Sequence, residues 1–221
     1  MNAIEKIALP DPEGLDEFAG KVTSDIAGAF ALLLSFIGDQ TGIYRTLRDV
    51  GPCSAAALAK AAAVDERYLT EWLSGQAAAG YVSYNQENET FSLTPEQATV
   101  LAAEGHPACV QGLIQQLTAQ FTTHDRAIEV FRSGEGREWG DHQRGCFCGT
   151  DRFFRPGYVA NLIESWLPAL DGVEEKLKRG AKVADMGCGH GFSTILMANA
   201  FPQSHFVGFD IHAQSIDVAR G

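Results

Sequence analysis

The chain has 221 residues, of which 45% are hydrophobic, and its formal net charge is −11 at pH 7. This length allows one or two domains with a proper core, whereas the acidity argues against nucleic-acid binding, which depends on clustered Lys and Arg. The five cysteines are scattered and odd in number, and no basic start or apolar signal core opens the chain, so we expect a reducing, cytoplasmic location.

The first predicted feature is a flexible arm over residues 1–22, because this stretch is rich in prolines, glycines and acids. A helix is expected to follow, capped near Thr23, and its surface is almost wholly apolar over residues 26–37. This apolar run is shorter than the roughly 20 residues that a membrane-spanning helix requires. Burial under later helices and burial against a second subunit both remain open.

Two helices joined by a tight turn are predicted between Ser54 and Gly80. Ser54 and Asp65 are typical N-cap residues, and Gly80 is a typical residue for ending a helix. Residues 81–94 then alternate as two strands around a turn. The order is that of a helix-turn-helix followed by a wing.

This pattern resembles the winged-helix domain at the N-terminus of many bacterial and plant small-molecule methyltransferases, including the Leu-Thr-Pro exit at residues 93–95. We expect the domain to span residues 23–100. In a DNA-binding winged helix the second helix enters the major groove. Here residues 65–80 carry three acidic side chains and one basic one, so we expect packing and dimerisation instead of DNA binding.

Residues 101–170 are predicted to form a helical linker and lid. A glycine-rich loop within them contains Trp139, His142, Cys146 and Cys148. A metal site is disfavoured there, because one histidine and a C-x-C pair offer three ligands without the paired spacing of structural zinc. His142 is our candidate for a catalytic base, since it is the one histidine in the lid beside Trp139.

An aromatic run follows from residue 152, on a helix that is predicted to break near Pro168. Together with the preceding loop it resembles the linker of two-domain bacterial class I methyltransferases, which couple a winged-helix domain to a cofactor domain. The linker helices of that family pack over the ligand mouth. The resemblance therefore implies that Phe153, Phe154 and Tyr158 contact cofactor or substrate, with ordinary core packing as the alternative.

The most informative stretch is a glycine loop between a predicted strand at residues 182–186 and a predicted helix at residues 192–200. A second strand at residues 205–210 completes a parallel βαβ unit. A dinucleotide fingerprint would need a glycine at Phe192. The pattern is instead D-x-G-x-G-x-G, which resembles the first motif of class I S-adenosylmethionine (SAM)-dependent methyltransferases.

The residue types of this loop suit SAM. Residues without Cβ allow a sharp turn and a close approach to a ligand, and Asp185 supplies an acceptor for its cationic amino-acid end. Asp210, at the end of the second strand, is placed to accept the ribose hydroxyls. The predicted cofactor contacts are Asp185, Gly187, Cys188, Gly189, His190, Gly191, Asp210, His212, Phe154 and Tyr158.

The expected fold class is a mainly α winged-helix domain followed by the start of an α/β Rossmann-like domain over residues 171–221. Two strands cannot cover both faces of a doubly wound sheet, so we expect the natural protein to continue after Gly221. The resemblance implies a SAM-dependent methyltransferase that acts on a small molecule and forms a homodimer through its N-terminal domain, without membrane contact. The alternatives are a SAM-responsive transcription regulator and a truncated, non-catalytic dimerisation module.

Overall fold

The computed structural model describes residues 11–221, which form a helical N-terminal domain, a helical linker and a small α/β unit. The N-terminal domain contains α1 (Pro12–Gln40), α2 (Ile43–Val50), α3 (Ala55–Ala62), α4 (Glu66–Ala78), β1 (Ser83–Asn85), β2 (Thr90–Ser92) and α5 (Pro95–Ala102). The linker contains α6 (Gln111–Phe121), α7 (His124–Ser133), a 3-10 turn (Trp139–Asp141), α8 (Arg144–Asn161) and a π-helical turn (Leu162–Trp166). The α/β unit contains α9 (Val173–Arg179), β3 (Lys182–Met186), α10 (Phe192–Ala200), β4 (His205–Phe209) and α11 (Ala213–Arg220).

Helix α1 begins at Pro12, so the predicted flexible arm is wrong for residues 12–22. The side chain of Asp11 caps the helix by accepting a hydrogen bond from the Gly14 amide (3.0 Å). Pro12 is at the first helical position, where no amide partner is required. An Asp-Pro pair that indicates a turn is therefore also a good helix start, and residues 1–10 of the predicted arm lie outside the described residues.

The two halves of α1 differ in burial. Residues 11–30 are exposed, whereas Ala31, Ser35, Gly38 and Asp39 are buried in the N-terminal domain. Within residues 11–221, α1 is the one helix whose length and hydropathy would also fit a membrane span, with 22% of the relevant window buried. Intrachain packing therefore covers one side of the second half of α1 and leaves the first half uncovered.

The helix-turn-helix and wing were predicted correctly. The Ser54 side chain caps α3 and the Asp65 side chain caps α4, each accepting from an amide three residues on. Strands β1 and β2 pair antiparallel, with Tyr84 opposite Phe91. The core beneath them is a cluster of side chains that are almost completely removed from solvent, namely Ile43, Tyr44, Leu47, Leu58, Leu69, Trp72, Leu73 and Val82.

A buried hydrogen-bond network joins α1 to α2 and α4. Ser35 Oγ lies 2.9 Å from Tyr44 Oη, and the hydroxyl of Tyr44 donates to the side-chain oxygen of Gln76. Gln76 Nε2 in turn donates to the carbonyl of Ala31 (3.1 Å). Because every member has a partner, this network orients the helices without leaving an unsatisfied buried group in it.

Helix α8 starts at Arg144, so Cys146 and Cys148 lie on a helix and the loop predicted there is wrong. The reason is tertiary packing, because α8 lies directly against α6. A Cβ on Gly149 would come within 2.6 Å of the Gly112 carbonyl oxygen, and a Cβ on Gly112 within 2.6 Å of the Phe153 nitrogen. The absence of side chains at Gly112 and Gly149 therefore allows a close contact between α6 and α8.

Strands β3 and β4 form the parallel pair that was predicted, with Asp185 opposite Gly208. Each strand alternates between half-buried and exposed positions. Val183 and Phe206 pack on a small cluster that includes Leu177 and Phe201, while Val207 and Phe209 are exposed on the other face. The sheet holds the glycine loop at the carboxyl ends of its strands, where α/β folds bind ligands.

Candidate functional site

The glycine loop is built on backbone conformations that glycine adopts most readily. Gly187, Gly189 and Gly191 have φ values of +78°, +54° and +76°. The amides of Gly187 and Cys188 donate to the carbonyl oxygen of Phe209 at 2.7 and 3.0 Å. The loop is therefore tied to the end of β4, and an added Cβ on Gly187 or Gly189 would meet no protein atom within 4 Å. That open space lets a ligand approach the backbone.

Asp210 holds the loop from the end of β4. One carboxylate oxygen accepts from the Gly189 amide (2.8 Å), and the other accepts from the His212 amide (2.8 Å). A carboxylate oxygen has two acceptor positions, so each oxygen can still accept one hydroxyl. Asp210 is thus fixed by the backbone amides of Gly189 and His212 and can receive the two hydroxyls of a ribose.

Asp185 is fixed by the first turn of α10. Its Oδ2 accepts from Ser193 Oγ (2.9 Å) and from Thr194 Oγ1 (2.6 Å). Sequence reasoning missed these two hydroxyl residues, although their signal is present as a Ser-Thr pair directly after Gly191 and Phe192. The hydroxyls leave the other oxygen of Asp185 for a cationic ligand group.

A cavity of about 290 Å³ separates the glycine loop from α8. It brings Asp185, most of the glycine loop and His190 together with Phe154 and Tyr158, whereas Phe153, which was also predicted to contact the ligand, does not line it. Gly191 and Asp210 line a larger, open cleft of about 1150 Å³ on the other side of the loop. The smaller cavity is lined from the linker by Trp139, Phe147, Thr150, Asp151, Phe154 and Tyr158.

His212 lies beneath the linker. Its ring stacks on Phe147 with centroids 4.0 Å apart, and its Nδ1 is 2.8 Å from Ser215 Oγ. Phe147 also contacts Trp139 edge-on, with centroids 5.4 Å apart. The imidazole lines neither cavity, so its direct role is to hold α8 against the end of β4.

His142, the predicted base, follows the 3-10 turn and lies against Trp139, with ring centroids 5.3 Å apart. It lines neither cavity, whereas Trp139 lines both. Burial lowers the pKa of His142, the charge of Arg137 lowers it further, and Asp141 partly opposes these effects. The imidazole is therefore neutral at pH 7, with a buried Nδ1 that has no protein partner.

Cys188 is a packed thiol within the loop. Burial raises its pKa, and the charges of Asp185 and Asp210 raise it further, so the thiol stays protonated. A Cβ on Gly208 would come within 2.8 Å of its sulfur. Within residues 11–221, no group of three or more His, Cys, Asp or Glu side chains is arranged to hold a metal ion.

Family comparisons agree with this division of the chain. Residues 28–103 match the Rv2258c-like winged HTH domain, and residues 177–221 match a methyltransferase domain. The chain therefore combines a winged helix-turn-helix domain with part of a methyltransferase domain, in the fold of the class I methyltransferases. This confirms the predicted fold class and the resemblance on which it was based. No curated protein matches the chain significantly by sequence.

Solved structures show the same fold. The mitomycin 7-O-methyltransferase MmcR is 18% identical, with a TM-score of 0.66 over 95% of this chain and 62% of that chain. Human N-acetylserotonin methyltransferase in complex with SAM is 15% identical, with a TM-score of 0.64 over 97% and 63%. An O-methyltransferase family protein from Burkholderia thailandensis is 17% identical, with a TM-score of 0.57 over 96% and 60%. The chain thus spans less than two thirds of the length of these proteins.

Proposed function

We propose that this chain binds SAM at the glycine loop and serves methyl transfer to a small-molecule acceptor. The observation that carries the proposal is the loop itself, in which three left-handed glycines stand between the carboxylates of Asp185 and Asp210. The residues fit the cofactor, because the open space at Gly187 and Gly189 admits close contact. When bound, SAM supplies a methyl group on a cationic sulfur, which needs alignment more than activation.

Each residue has a distinct task in this proposal. Asp210 accepts the ribose hydroxyls, and the free oxygen of Asp185 accepts from the ammonium of the methionyl end. Phe154, Tyr158 and Trp139 cover the smaller cavity and exclude water from the cofactor. An acidic site also favours the cationic cofactor, and water exclusion strengthens that attraction.

The acceptor is proposed to be a hydroxyl, because several structural relatives carry O-methyltransferase in their names. Removing the proton of a hydroxyl needs a base. His142 is neutral because of its burial and Arg137, so it is able to accept that proton. It lines neither cavity but lies against Trp139, which lines both, so the acceptor would have to reach it past Trp139.

Isothermal titration calorimetry of the chain with SAM tests this proposal. We expect saturable binding, and we expect Asp210→Asn to weaken it by about tenfold or more because one charged acceptor is lost. Asp171→Asn, at an exposed turn before α9, is the matched control and should bind like the unmodified chain. Absence of both binding heat and thermal stabilisation in the unmodified chain would overturn the proposal.

We also propose that two copies of the chain associate through α1. Exposed apolar side chains recur every three or four residues along α1 and therefore share one face of it, whereas Glu13 and Glu17 lie on the opposite face. A helix that projects without intrachain contacts is marginally stable in water, so a partner must cover it. The face consists of Leu15, Phe18, Val22, Ile26, Phe30, Leu33 and Ile37.

Sedimentation equilibrium tests the association. We expect a dimer, and we expect Phe18→Asp with Phe30→Asp to give a monomer, because the two charges would be desolvated at the interface. Ser24→Asp with Ala27→Asp adds the same charge to the polar face of α1 and should leave the dimer intact. A monomeric unmodified chain, or one that floats with phospholipid vesicles through α1, would contradict the proposal.

A further inference from the structure

An ion pair on α8 lies against the junction between the glycine loop and α10. Asp151 and Arg155 are one helical turn apart, and their charged groups are 2.5 Å apart. The same oxygen of Asp151 lies 3.3 Å from Nδ1 of His190, whose side chain is only 10% exposed. The guanidinium of Arg155 lies 4.5 Å above the ring of Phe192. One ion pair thus contacts the residues on both sides of Gly191.

The junction has no side-chain cap at the start of α10, although the Gly191 amide donates to the Cys188 carbonyl (2.8 Å) and the hydroxyls of Ser193 and Thr194 donate to Asp185. Gly191 is the N-cap residue of α10, has a φ of +76° and offers no side chain for capping. At most helix starts, the side chain of a Ser, Thr, Asp or Asn at the N-cap accepts a hydrogen bond from a backbone amide of the first turn. A further restraint comes from α8, where the Asp151–Arg155 pair contacts both neighbours of Gly191.

Helix α8 is held in place by ion pairs with the N-terminal half of the chain. On another side of the helix, Arg152 forms a two-point ion pair with the buried Asp39 of α1, at 2.6 and 2.8 Å. Arg152 also donates from Nε to the carboxylate of Glu104 (2.8 Å). Planar two-point contacts of this type restrict orientation as well as distance. The position of α8 is therefore defined by the N-terminal domain.

We propose that Asp151 and Arg155 are positioning residues that hold the Gly191 junction in its ligand-ready conformation. Asp151 restrains His190, and Arg155 restrains Phe192 through the face of its ring. Neither residue is assigned a contact with the reacting methyl group. The consequence for SAM affinity rests on the proposed function, whereas the effect on the loop itself does not.

Hydrogen exchange of the ligand-free chain tests the positioning role. In Asp151→Ala and Arg155→Met, we expect the peptide covering residues 187–195 to exchange about tenfold faster, because the junction opens more often. A peptide from α4 should keep its exchange rate in both variants, which shows that the N-terminal domain is folded. Unchanged exchange of residues 187–195 in both variants would overturn the proposal.

A matched pair on α9 provides the control. Glu174 and Lys178 have the same spacing and the same 2.5 Å separation, but the pair lies on the surface of another helix. Glu174→Ala and Lys178→Met should therefore change exchange at residues 187–195 by less than about twofold. An equal acceleration in these controls would show a general loss of helix stability and would contradict a specific role for Asp151.

The reversed pair separates positioning from helix stability. Asp151→Arg combined with Arg155→Asp keeps an ion pair within α8 but turns opposite charges toward His190 and Phe192. We expect fast loop exchange to persist and SAM affinity to be about tenfold weaker, or about 1.4 kcal/mol. Recovery of normal exchange in this variant would overturn the proposal. If the unmodified chain does not bind SAM, the proposed function fails, while the exchange data still decide the positioning role.

Discussion

The N-terminal domain and the α/β unit are stabilised in different ways. The main core contains 13 buried residues of the N-terminal domain and Ile114 of α6, and a fully paired hydrogen-bond network runs beside it. The core beneath the βαβ unit contains four buried residues. There the glycine loop depends on backbone hydrogen bonds and on the carboxylates of Asp185 and Asp210. The candidate site thus lies in the part with less buried apolar area.

This difference assigns a supporting role to the linker. Helix α8 packs on α6 through facing glycines, is tied to α1 by Arg152, and reaches the glycine loop through Asp151. Through the contacts of α8, the well-packed N-terminal domain can therefore restrain the glycine loop of the less well-packed α/β unit. Local openings are expected first in the α/β unit, because few buried contacts oppose them.

The largest effect is expected from Leu73→Ala in the N-terminal core. Leu73 is completely buried, so its truncation leaves a cavity and should lower the free energy of unfolding by about 4 kcal/mol. The counterpart Leu177→Ala, in the smaller core, should mainly accelerate hydrogen exchange of residues 173–209. Chemical denaturation and peptide exchange measure both variants, and equal, global destabilisation by the two would refute the division into two differently stabilised parts.

The next largest effect is expected at the ion pair between Asp39 of α1 and Arg152 of the linker helix α8. Burial raises the pKa of Asp39, but the hydrogen bond and charge of Arg152, with help from Gln40 and Arg45, outweigh burial and bring the pKa below its ordinary value. A depressed carboxyl pKa stabilises the fold above the unfolded pKa, near 4, and this stability is lost as the pH falls through the folded pKa.

Asp39→Asn should therefore cost about 3 kcal/mol at neutral pH, because Arg152 loses its buried partner. The deficit should shrink at about pH 3, below the unfolded pKa near 4, because the unfolded form of the unmodified chain then gains stability by binding the proton. Asp25→Asn removes an exposed pair with Lys21 and should cost less than about 1 kcal/mol at either pH. Denaturant titrations at both pH values measure the free energies of unfolding. If the loss of stability in Asp39→Asn does not depend on pH, it does not come from the ion pair with Arg152.

The smallest effect is expected at the α6–α8 contact. Gly149→Ala places a Cβ within 2.6–2.7 Å of backbone atoms of α6, so the helices must separate, at a cost of about 2 kcal/mol. Gly157→Ala lies on the same helix with no atom within 4 Å of the new Cβ and should be neutral or slightly stabilising. Thermal unfolding compares the two, and similar melting temperatures would mean that the contact is not close in solution.

Much of the fold was predictable because its signals are local. The N-caps at Ser54 and Asp65, the wing, and both strands around the glycine loop depend on residues within a few positions of one another. The start of α1 was missed because Asp11 and Pro12 are equally suited to a turn and to a helix start. The local sequence is therefore compatible with both a turn and a helix start.

The site was predictable in part for the same reason. The order of the loop residues and the acid at the end of β4 follow from chain order alone, since parallel strands place their carboxyl ends at one edge. The stack of Phe147 on His212 and the contact of Asp151 with His190 join residues far apart in sequence. No periodicity or motif encodes such pairs.

The amino-acid sequence by itself determined the βαβ unit, the glycine loop and the winged helix, because each depends on hydrogen bonds and caps between near neighbours. The tertiary structure decided that Cys146 and Cys148 lie on a helix, because α8 packs closely on α6 where Gly149 and Gly112 place no side chain between the two backbones. It also decided which acids face the loop, because Asp151 reaches His190 only after α8 has packed on α6.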